Sequence, residues 1–223
     1  MGELEDWGRE RPLFNVNEAE RQLRMERDSL KEKLSRMTRR GDLERVERGK
    51  YTFHEDPMVY ATYVERPSYI SLWSGLRFYN VTTQQPSKVQ VVAPVNREDL
   101  EKVDFHRSKE MFGFEKRNYS GFEISVAERE RLLIDCLYYR DVPVTELVEL
   151  VEEVDVDRTL EYAERFGVNS VKKRVGYLIE KVKGDRLEEL RPEDRNYPLL
   201  DLTKTGGREK DRYWRLEVNA DVE

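Results

Sequence analysis

The side chains best suited to recognise another molecule are two arginines, Arg36 and Arg39, in a basic stretch near the N-terminus. A guanidinium group can donate two parallel hydrogen bonds to guanine, so these side chains are predicted to read base edges of DNA. The neighbouring basic side chains are predicted to contact phosphates instead; they are Lys31, Lys33, Arg40, Arg45, Arg48 and Lys50. For any one of them the alternative is a solvated surface charge, so the prediction depends on the group as a whole.

The charge of this stretch differs in sign from that of the chain. Residues 21–50 hold eleven basic and six acidic side chains, a net charge of +5, whereas all 223 residues together carry −6. The rest of the chain therefore carries −11. Lysine and arginine bind DNA by displacing counterions from its phosphates, so a basic module on an acidic chain indicates a DNA-contacting domain.

The elements that must position these side chains can be read from apolar spacing and helix signals. A helix is predicted from a capping box at Ser29 and Glu32 to a stop at Gly41. Its apolar face is formed by Leu30, Leu34 and Met37. Arg36 and Arg39 should therefore point away from the core.

A second helix and a hairpin flank this one. Asn17 and Glu20 predict another capping box just before it, and residues 43–48 and 50–53 alternate around Gly49 as a β-hairpin does. Helix, turn, helix and hairpin in this order predict a winged helix-turn-helix. In that geometry the second helix lies in the major groove and the hairpin touches the adjacent backbone.

The predicted fold class is α+β, with the winged helix-turn-helix in residues 1–56 followed by a mixed domain in residues 57–223. That domain should contain an antiparallel-type sheet, about 79–126, a helical bundle, about 127–190, and a closing strand, about 212–218, after a Gly206-Gly207 turn. Within the stretch 67–86, the spacing predicts a helix over 69–76 and a strand over 79–83. Further strands are predicted at 88–93, 103–108, 111–114 and 121–126, with a turn at 117–120.

Four short motifs follow one another along the chain. In chain order they are RGKY (48–51), SYISLWSGL (68–76) with YNVT (79–82), Glu130-Arg131 with Leu133 and Asp135, and Arg174–Glu180. This set resembles the AbiEi-type antitoxin family, although the family's Pro-Glu-Arg-Thr is Arg129–Leu132 here. The resemblance implies an N-terminal winged helix that represses its own operon at operator DNA, with more than one copy bound. It also implies a C-terminal domain that counters a cognate nucleotidyltransferase toxin.

Two other functions remain open from the residues alone. One is a stand-alone transcriptional regulator whose C-terminal domain senses a ligand or partner. The other is a DNA-processing enzyme using carboxylates such as Asp135, although pairing of Asp135 with Arg131 or Arg174 explains that residue better. His106 is expected to be structural.

Several classes of site and location are not expected. The chain lacks a phosphate-binding glycine loop and the GxSxG and HExxH motifs, so no enzymatic activity and no cofactor are expected. One cysteine, Cys136, and two histidines make a zinc site of Cys and His ligands improbable, and no metal is expected. No apolar run approaches the roughly 20 residues of a membrane-spanning helix, and a cytoplasmic location is expected.

Overall fold

The computed structural model describes residues 2–191, 193–206 and 209–222, and it is a mixed α+β protein with antiparallel and mixed sheets. Its residues fall into two compact units. Unit 1 contains the residues up to Ile70 together with Ser87–Met111 and Lys116–Ser125. Unit 2 contains Ser71–Pro86, Phe112–Glu115 and the residues from Val126 onward. The predicted boundary between residues 56 and 57 stays a prediction.

The first part of unit 1 combines helices with short strands. In chain order these are α1 (Glu3–Arg9), β1 (Phe14–Asn15), α2 (Val16–Leu23), α3 (Arg27–Arg40), β2 (Glu44–Glu47) and β3 (Lys50–Thr52). The strands form an antiparallel sheet in the order β1-β3-β2, so the predicted hairpin is confirmed. An apolar core joins helices and sheet; its buried members are Leu4, Phe14, Ala19, Leu23, Leu30, Leu34, Leu43 and Phe53.

Both predicted capping boxes were wrong. Helix α2 is capped by Asn15, whose side-chain oxygen accepts a hydrogen bond from the N–H of Glu18 at 2.9 Å. Helix α3 is capped by Glu26, whose carboxylate accepts from two backbone N–H groups of the first turn, at 2.8 and 3.0 Å. The observed caps therefore lie two and three residues before the predicted ones, because these other side chains reach the unpaired N–H groups first. Gly41 ends α3 in the left-handed region, as predicted.

The rest of unit 1 is dominated by a five-stranded sheet. The elements after β3 are α4 (Pro57–Val64), β4 (Tyr69–Ile70), β5 (Val89–Ala93), β6 (Val103–Arg107), β7 (Phe114–Tyr119) and β8 (Phe122–Ala127), and the strand order is β6-β5-β4-β8-β7. The first two residues of β7 and the last two of β8 are assigned to unit 2. Strand β4 pairs antiparallel with β5, but β5 and β6 are parallel, with Val89 opposite Val103. The expectation of an antiparallel-type sheet was wrong for this pair. The connection between them therefore returns to the end of the sheet at which β5 begins.

The predicted order of helix and strand around residue 70 was also wrong. Tyr69 belongs to β4, helix α5 (Leu72–Phe78) follows, and the predicted strand at 79–83 is not formed. The segment predicted as a strand at 111–114 and a turn at 117–120 is shifted, because β7 runs through Tyr119. The turn lies at Ser120 and Gly121, which both have positive φ angles. The predicted strands at 88–93, 103–108 and 121–126 are confirmed as β5, β6 and β8.

Unit 2 is mainly helical. Its further elements are α6 (Arg129–Tyr138), a 3₁₀ turn (Val144–Leu147), α7 (Val148–Glu153), α8 (Val156–Phe166), α9 (Asn169–Lys183), a second 3₁₀ turn (Glu188–Leu190), and the antiparallel strands β9 (Glu209–Asp211) and β10 (Leu216–Val218). Gly167 and Gly184 end α8 and α9 in the left-handed region, as predicted. Gly206 has a positive φ angle, and the other residue of the predicted turn, Gly207, lies outside the described residues.

A glycine in α9 allows one close approach in unit 2. A Cβ atom on Gly176 would lie 2.2 Å from the ring of Trp214, which is buried. The indole Nε1 of Trp214 donates a hydrogen bond to Glu180 at 2.6 Å. The C-terminal segment therefore contributes a large aromatic ring to the core of this unit.

Candidate nucleic-acid interface

Helix α3 separates its apolar and basic side chains, as the spacing predicted. Leu30 and Leu34 are fully buried in the core of the first part of unit 1. Arg36 and Arg39 lie on the exposed side of the same helix. Because these arginines sit on a regular helix anchored by buried leucines, the positions of their backbones are fixed relative to the core.

Five exposed arginines on α3 and the hairpin have side chains without an internal partner. Each of these side chains makes no hydrogen bond or ion pair with any residue that the structure describes, whereas Arg27, at the start of α3, pairs with Glu20; the five are Arg36, Arg39, Arg40, Arg45 and Arg48. The side chain of Arg24, at the end of α2, is likewise exposed and has no partner among the described residues. A guanidinium group that is not engaged inside the protein keeps all its donors for an outside acceptor.

The three lysines predicted as phosphate contacts differ from these arginines. Lys31 is exposed and lies 3.2 Å from Asp28 in the preceding turn. Lys33 is half-buried. Lys50 is half-buried in β3, where its Nζ donates to the carbonyl oxygen of Val64 at 2.6 Å and pairs with Glu47 at 2.8 Å. Lys50 is therefore engaged inside unit 1, whereas Lys31 can exchange a weak surface partner for a phosphate.

The hairpin of β2 and β3 separates its acidic side chains from its exposed basic ones. The register of β2 shifts between Arg45 and Glu47, so the regular alternation of side chains is interrupted there. Glu44 and Glu47 consequently face the same side, opposite Thr52 and Lys50, although they are three residues apart. Arg45 lies opposite Tyr51 on the other side, and Arg48 is exposed in the turn. The turn itself is made by Gly49, which has φ +81°.

The two glutamates are held by side chains from elsewhere in unit 1. Glu44 accepts from the Nζ of Lys102 at 2.5 Å and from the hydroxyl of Tyr60 at 3.0 Å. Glu47 accepts from Arg97 at 2.6 Å. Burial alone would raise the pKa of Glu47, but hydrogen bonds from Lys50 and Arg97 hold that pKa below its usual value.

These engagements change the charge that the surface presents. Glu26 is used as a helix cap, and its pKa is lowered by hydrogen bonds from the backbone N–H groups of Asp28 and Ser29. Glu44 and Glu47 are compensated by Lys102 and Arg97, which come from outside residues 21–50. Half of the six acidic side chains in the basic stretch are thus occupied internally, while six of its exposed arginines are not, namely Arg24, Arg36, Arg39, Arg40, Arg45 and Arg48. The outer face of α3 and the hairpin is more basic than the sequence count alone indicates.

Asp135, the carboxylate that the alternative of a DNA-processing enzyme would use, is held by contacts inside unit 2. Asp135 is fully buried in unit 2, where it accepts from the Nε of Arg131 at 2.9 Å and from the hydroxyl of Ser71 at 2.8 Å. The predicted pairing with Arg131 is therefore confirmed. The guanidinium of Arg131 also lies near the rings of Phe112 and Phe166, at 4.7 and 5.0 Å from their centroids.

The remaining candidates for chemistry offer no assembled site. His106 is half-buried on β6, 3.4 Å from Asp104. The thiol of Cys136 is buried, and desolvation followed by the charge of Asp135 raises its pKa well above the usual value, which keeps it protonated. Among the described residues, no three His, Cys, Asp or Glu side chains are grouped so that they could hold a metal ion.

Sequence reasoning missed the residues that hold the hairpin in place. Arg97 and Lys102 lie 50 and 58 positions from the glutamates that they contact. No local pattern connects positions so far apart. The one available signal was the spacing of Glu44 and Glu47, which points to the same side of a strand only if that strand contains a bulge.

Comparison with known proteins gives a structural match and no sequence match. No protein-family model matches the chain, and no curated protein sequence matches it. The fold is similar to that in the crystal structure of the RV2827C protein from Mycobacterium tuberculosis, with a TM-score of 0.67 and 14% sequence identity. The similarity covers 92% of this chain and 85% of that one. In the part of the chain that the structure describes, no helix is long and apolar enough to cross a membrane.

Proposed function

We propose that residues 1–56 form a winged helix-turn-helix that binds DNA, with α3 in the major groove and the β2–β3 hairpin on the adjacent backbone. The order of helices and strands supports this proposal, and so does the short connection of three residues between α2 and α3. The short hairpin that follows α3 has the place of a wing. The observation that carries the proposal is the set of exposed arginines without internal partners on α3 and this hairpin.

The arginines divide into two roles in this proposal. Arg36 and Arg39, on the outer face of α3, read base edges, since a bidentate guanidinium contact with guanine discriminates against other bases. Arg40, Arg45 and Arg48, together with Lys31 and Lys33, contact phosphates and contribute affinity without sequence information. Lys50 contributes indirectly, because its ammonium group is occupied by Val64 and Glu47.

We further propose that the protein is the antitoxin of a two-gene system. In this role it represses its own operon in the cytoplasm, with more than one copy on the operator, and counters a nucleotidyltransferase toxin through its C-terminal part. Support for this role comes from the motifs that resemble the AbiEi-type family, and no catalytic activity of the chain itself is involved. The structural similarity at 14% identity concerns the fold alone.

Binding to the DNA upstream of the gene is the first test. Fluorescence anisotropy should show binding whose log–log salt slope falls by about 0.9 for each phosphate contact removed, as in Arg45→Ala or Arg48→Ala. The double variant Arg36→Ala with Arg39→Ala should lose discrimination between this DNA and a scrambled duplex, by about 1–3 kcal/mol per base contact. Arg212→Ala, an exposed arginine of unit 2, is the matched control and should bind as wild type. A double variant that still discriminates between the two duplexes as strongly as wild type does would contradict the assignment of α3.

The antitoxin role needs a separate experiment. Expression of the adjacent open reading frame should arrest growth, and a second plasmid carrying this chain should restore it. A harmless neighbour, or an arrest that this chain does not relieve, would favour the stand-alone regulator instead.

One feature of unit 2 bears on that second candidate. An open cavity of about 650 Å³ is lined by residues that include Tyr177, Lys181 and Asn219. Its size is within the range of small-molecule sites. A regulator that senses a ligand would have room for one there.

A further inference from the structure

The inner side of the hairpin is held by a set of charged contacts within unit 1. Arg97 bridges two carboxylates, with its guanidinium nitrogens 2.6 Å from Glu47 and 3.3 Å from Glu65. The same guanidinium lies over the ring of Phe105, 4.4 Å from its centroid. Its side chain is only 17% exposed, so it is packed into the unit and is not available at the surface as a phosphate contact.

A second link lies at the other end of β2. Lys102 contacts the carboxylate of Glu44, which also accepts from the hydroxyl of Tyr60. Lys50 joins the opposite strand to α4 through the carbonyl of Val64. Both strands of the hairpin are therefore tied to the rest of unit 1 by charged or polar groups.

A short hairpin needs such links if its tip is to have a fixed position. Strands β2 and β3 have four and three residues, and β3 is paired on its other side with β1, which has two, so strand pairing alone stabilises the hairpin little. The bulge in β2 turns Glu44 and Glu47 inward together and leaves Arg45 and Arg48 outward. Glu44 and Arg45 are neighbours in β2, and Arg48 follows Glu47 directly in the turn, so that fixing the glutamates also fixes the backbone that carries the arginines.

We propose that Arg97 and Lys102 are positioning residues for DNA binding, which act through Glu47 and Glu44 to hold Arg48 and Arg45 against the phosphate backbone. The proposal rests on the proposed DNA-binding function and extends it to residues far outside the winged module. According to this proposal, Glu44 and Glu47 increase the affinity for DNA, although each of them carries a negative charge.

The charge of Glu47 and its positioning role predict opposite changes in DNA affinity, so one substitution can distinguish them. If Glu47 acted only through its charge, Glu47→Gln would strengthen binding to DNA, because a negative charge near the phosphates is removed. If Glu47 holds the hairpin, the same substitution weakens binding and lowers the salt slope by about 0.9 for each phosphate contact that is lost. The matched control is Asp42→Asn, since Asp42 is exposed in the same module and should show the simple charge effect, a tighter complex.

A double-variant comparison separates positioning from a general loss of structure. In a chain that already carries Arg45→Ala and Arg48→Ala, adding Glu47→Gln should not weaken the remaining affinity, because there is no hairpin contact left to position. Arg97→Lys should keep more of the wild-type affinity than Arg97→Gln, because it preserves the charge opposite Glu47. Circular dichroism of each variant measures whether it is folded.

The outcomes distinguish this proposal from the underlying function. Wild-type protein that does not bind the upstream DNA would overturn the proposed function itself. Wild-type binding combined with a tighter complex for Glu47→Gln, or with equal losses from Glu47→Gln in both backgrounds, would overturn the positioning role alone.

Discussion

Two arginines of unit 2 and two arginines of unit 1 are placed in opposite surroundings. In unit 2, Arg131 has no exposed side-chain surface, pairs with Asp135 and lies between two phenylalanine rings. Arg174 is buried as well, and donates to the carbonyl oxygens of Leu199 and Leu137 at 2.8 and 3.1 Å. In unit 1, Arg36 and Arg39 are exposed and engage no described residue.

This difference separates structural from recognition roles for the same residue type. A buried guanidinium must have its charge and donors satisfied inside the protein, since an unpaired buried charge costs several kcal/mol. An exposed one is satisfied by water, which a phosphate or a base can replace. The motif containing Arg131 therefore concerns the folding of unit 2, whereas the role proposed for Arg36 and Arg39 is in binding. Substitutions in the two units should affect different measurements.

The largest effect is expected from Arg131→Ala, which should lower the free energy of unfolding by about 3–5 kcal/mol because it leaves Asp135 buried without its cation. Urea denaturation followed by circular dichroism measures this loss. Arg36→Ala is the matched control in a helix of unit 1, where an exposed side chain without partners should change the free energy by less than about 0.5 kcal/mol.

A variant that removes both charges sharpens the same test. Arg131→Met combined with Asp135→Leu should be more stable than Arg131→Ala alone, because no unpaired charge remains. Equal stability of Arg131→Ala and Arg36→Ala would show that the buried pair does not distinguish the two units.

A smaller effect is expected from the half-buried pair of Glu47 and Arg97. The pKa of Glu47 is lower in the folded protein than its usual value of 4.5, so its stabilising contribution is present above that value and is lost as the pH falls through the folded pKa. Glu47→Gln should therefore cost about 1 kcal/mol near neutral pH. Urea denaturation of both proteins from pH 7 to pH 3 should show this difference shrinking below pH 4.5. A difference that stays constant over the whole range would exclude the carboxylate charge as its source.

Local features of the fold could be predicted because they depend on nearby residues. The spacing of Leu30 and Leu34 defined the buried side of α3, and with it the exposure of Arg36 and Arg39. Gly167 and Gly184 marked helix ends because a left-handed residue is needed there. The pairing of Arg131 with Asp135 followed from their separation by one helical turn.

Features that depend on distant pairing could not be predicted in this way. The stretch from Tyr79 to Thr83, with its β-branched residues, resembles a strand, yet no strand forms there, because strand propensity depends on the neighbours available for pairing. The parallel alignment of Val89 with Val103 depends on the path of the connection between them, which carries no local signature. The contacts of Arg97 with Glu47 and Glu65 likewise join segments far apart in sequence.

The packing of Trp214 against Gly176 has a consequence for the order of events during protein synthesis. The residues assigned to unit 1 end at Ser125, whereas the core of unit 2 is incomplete until Trp214 has been added. At the usual translation rate of about 5–20 residues per second, the intervening segment of roughly 90 residues takes on the order of 5–20 s to make. The core around α3 and its hairpin can therefore form during synthesis, before the residue whose indole ring packs against α9 has been added to the nascent chain.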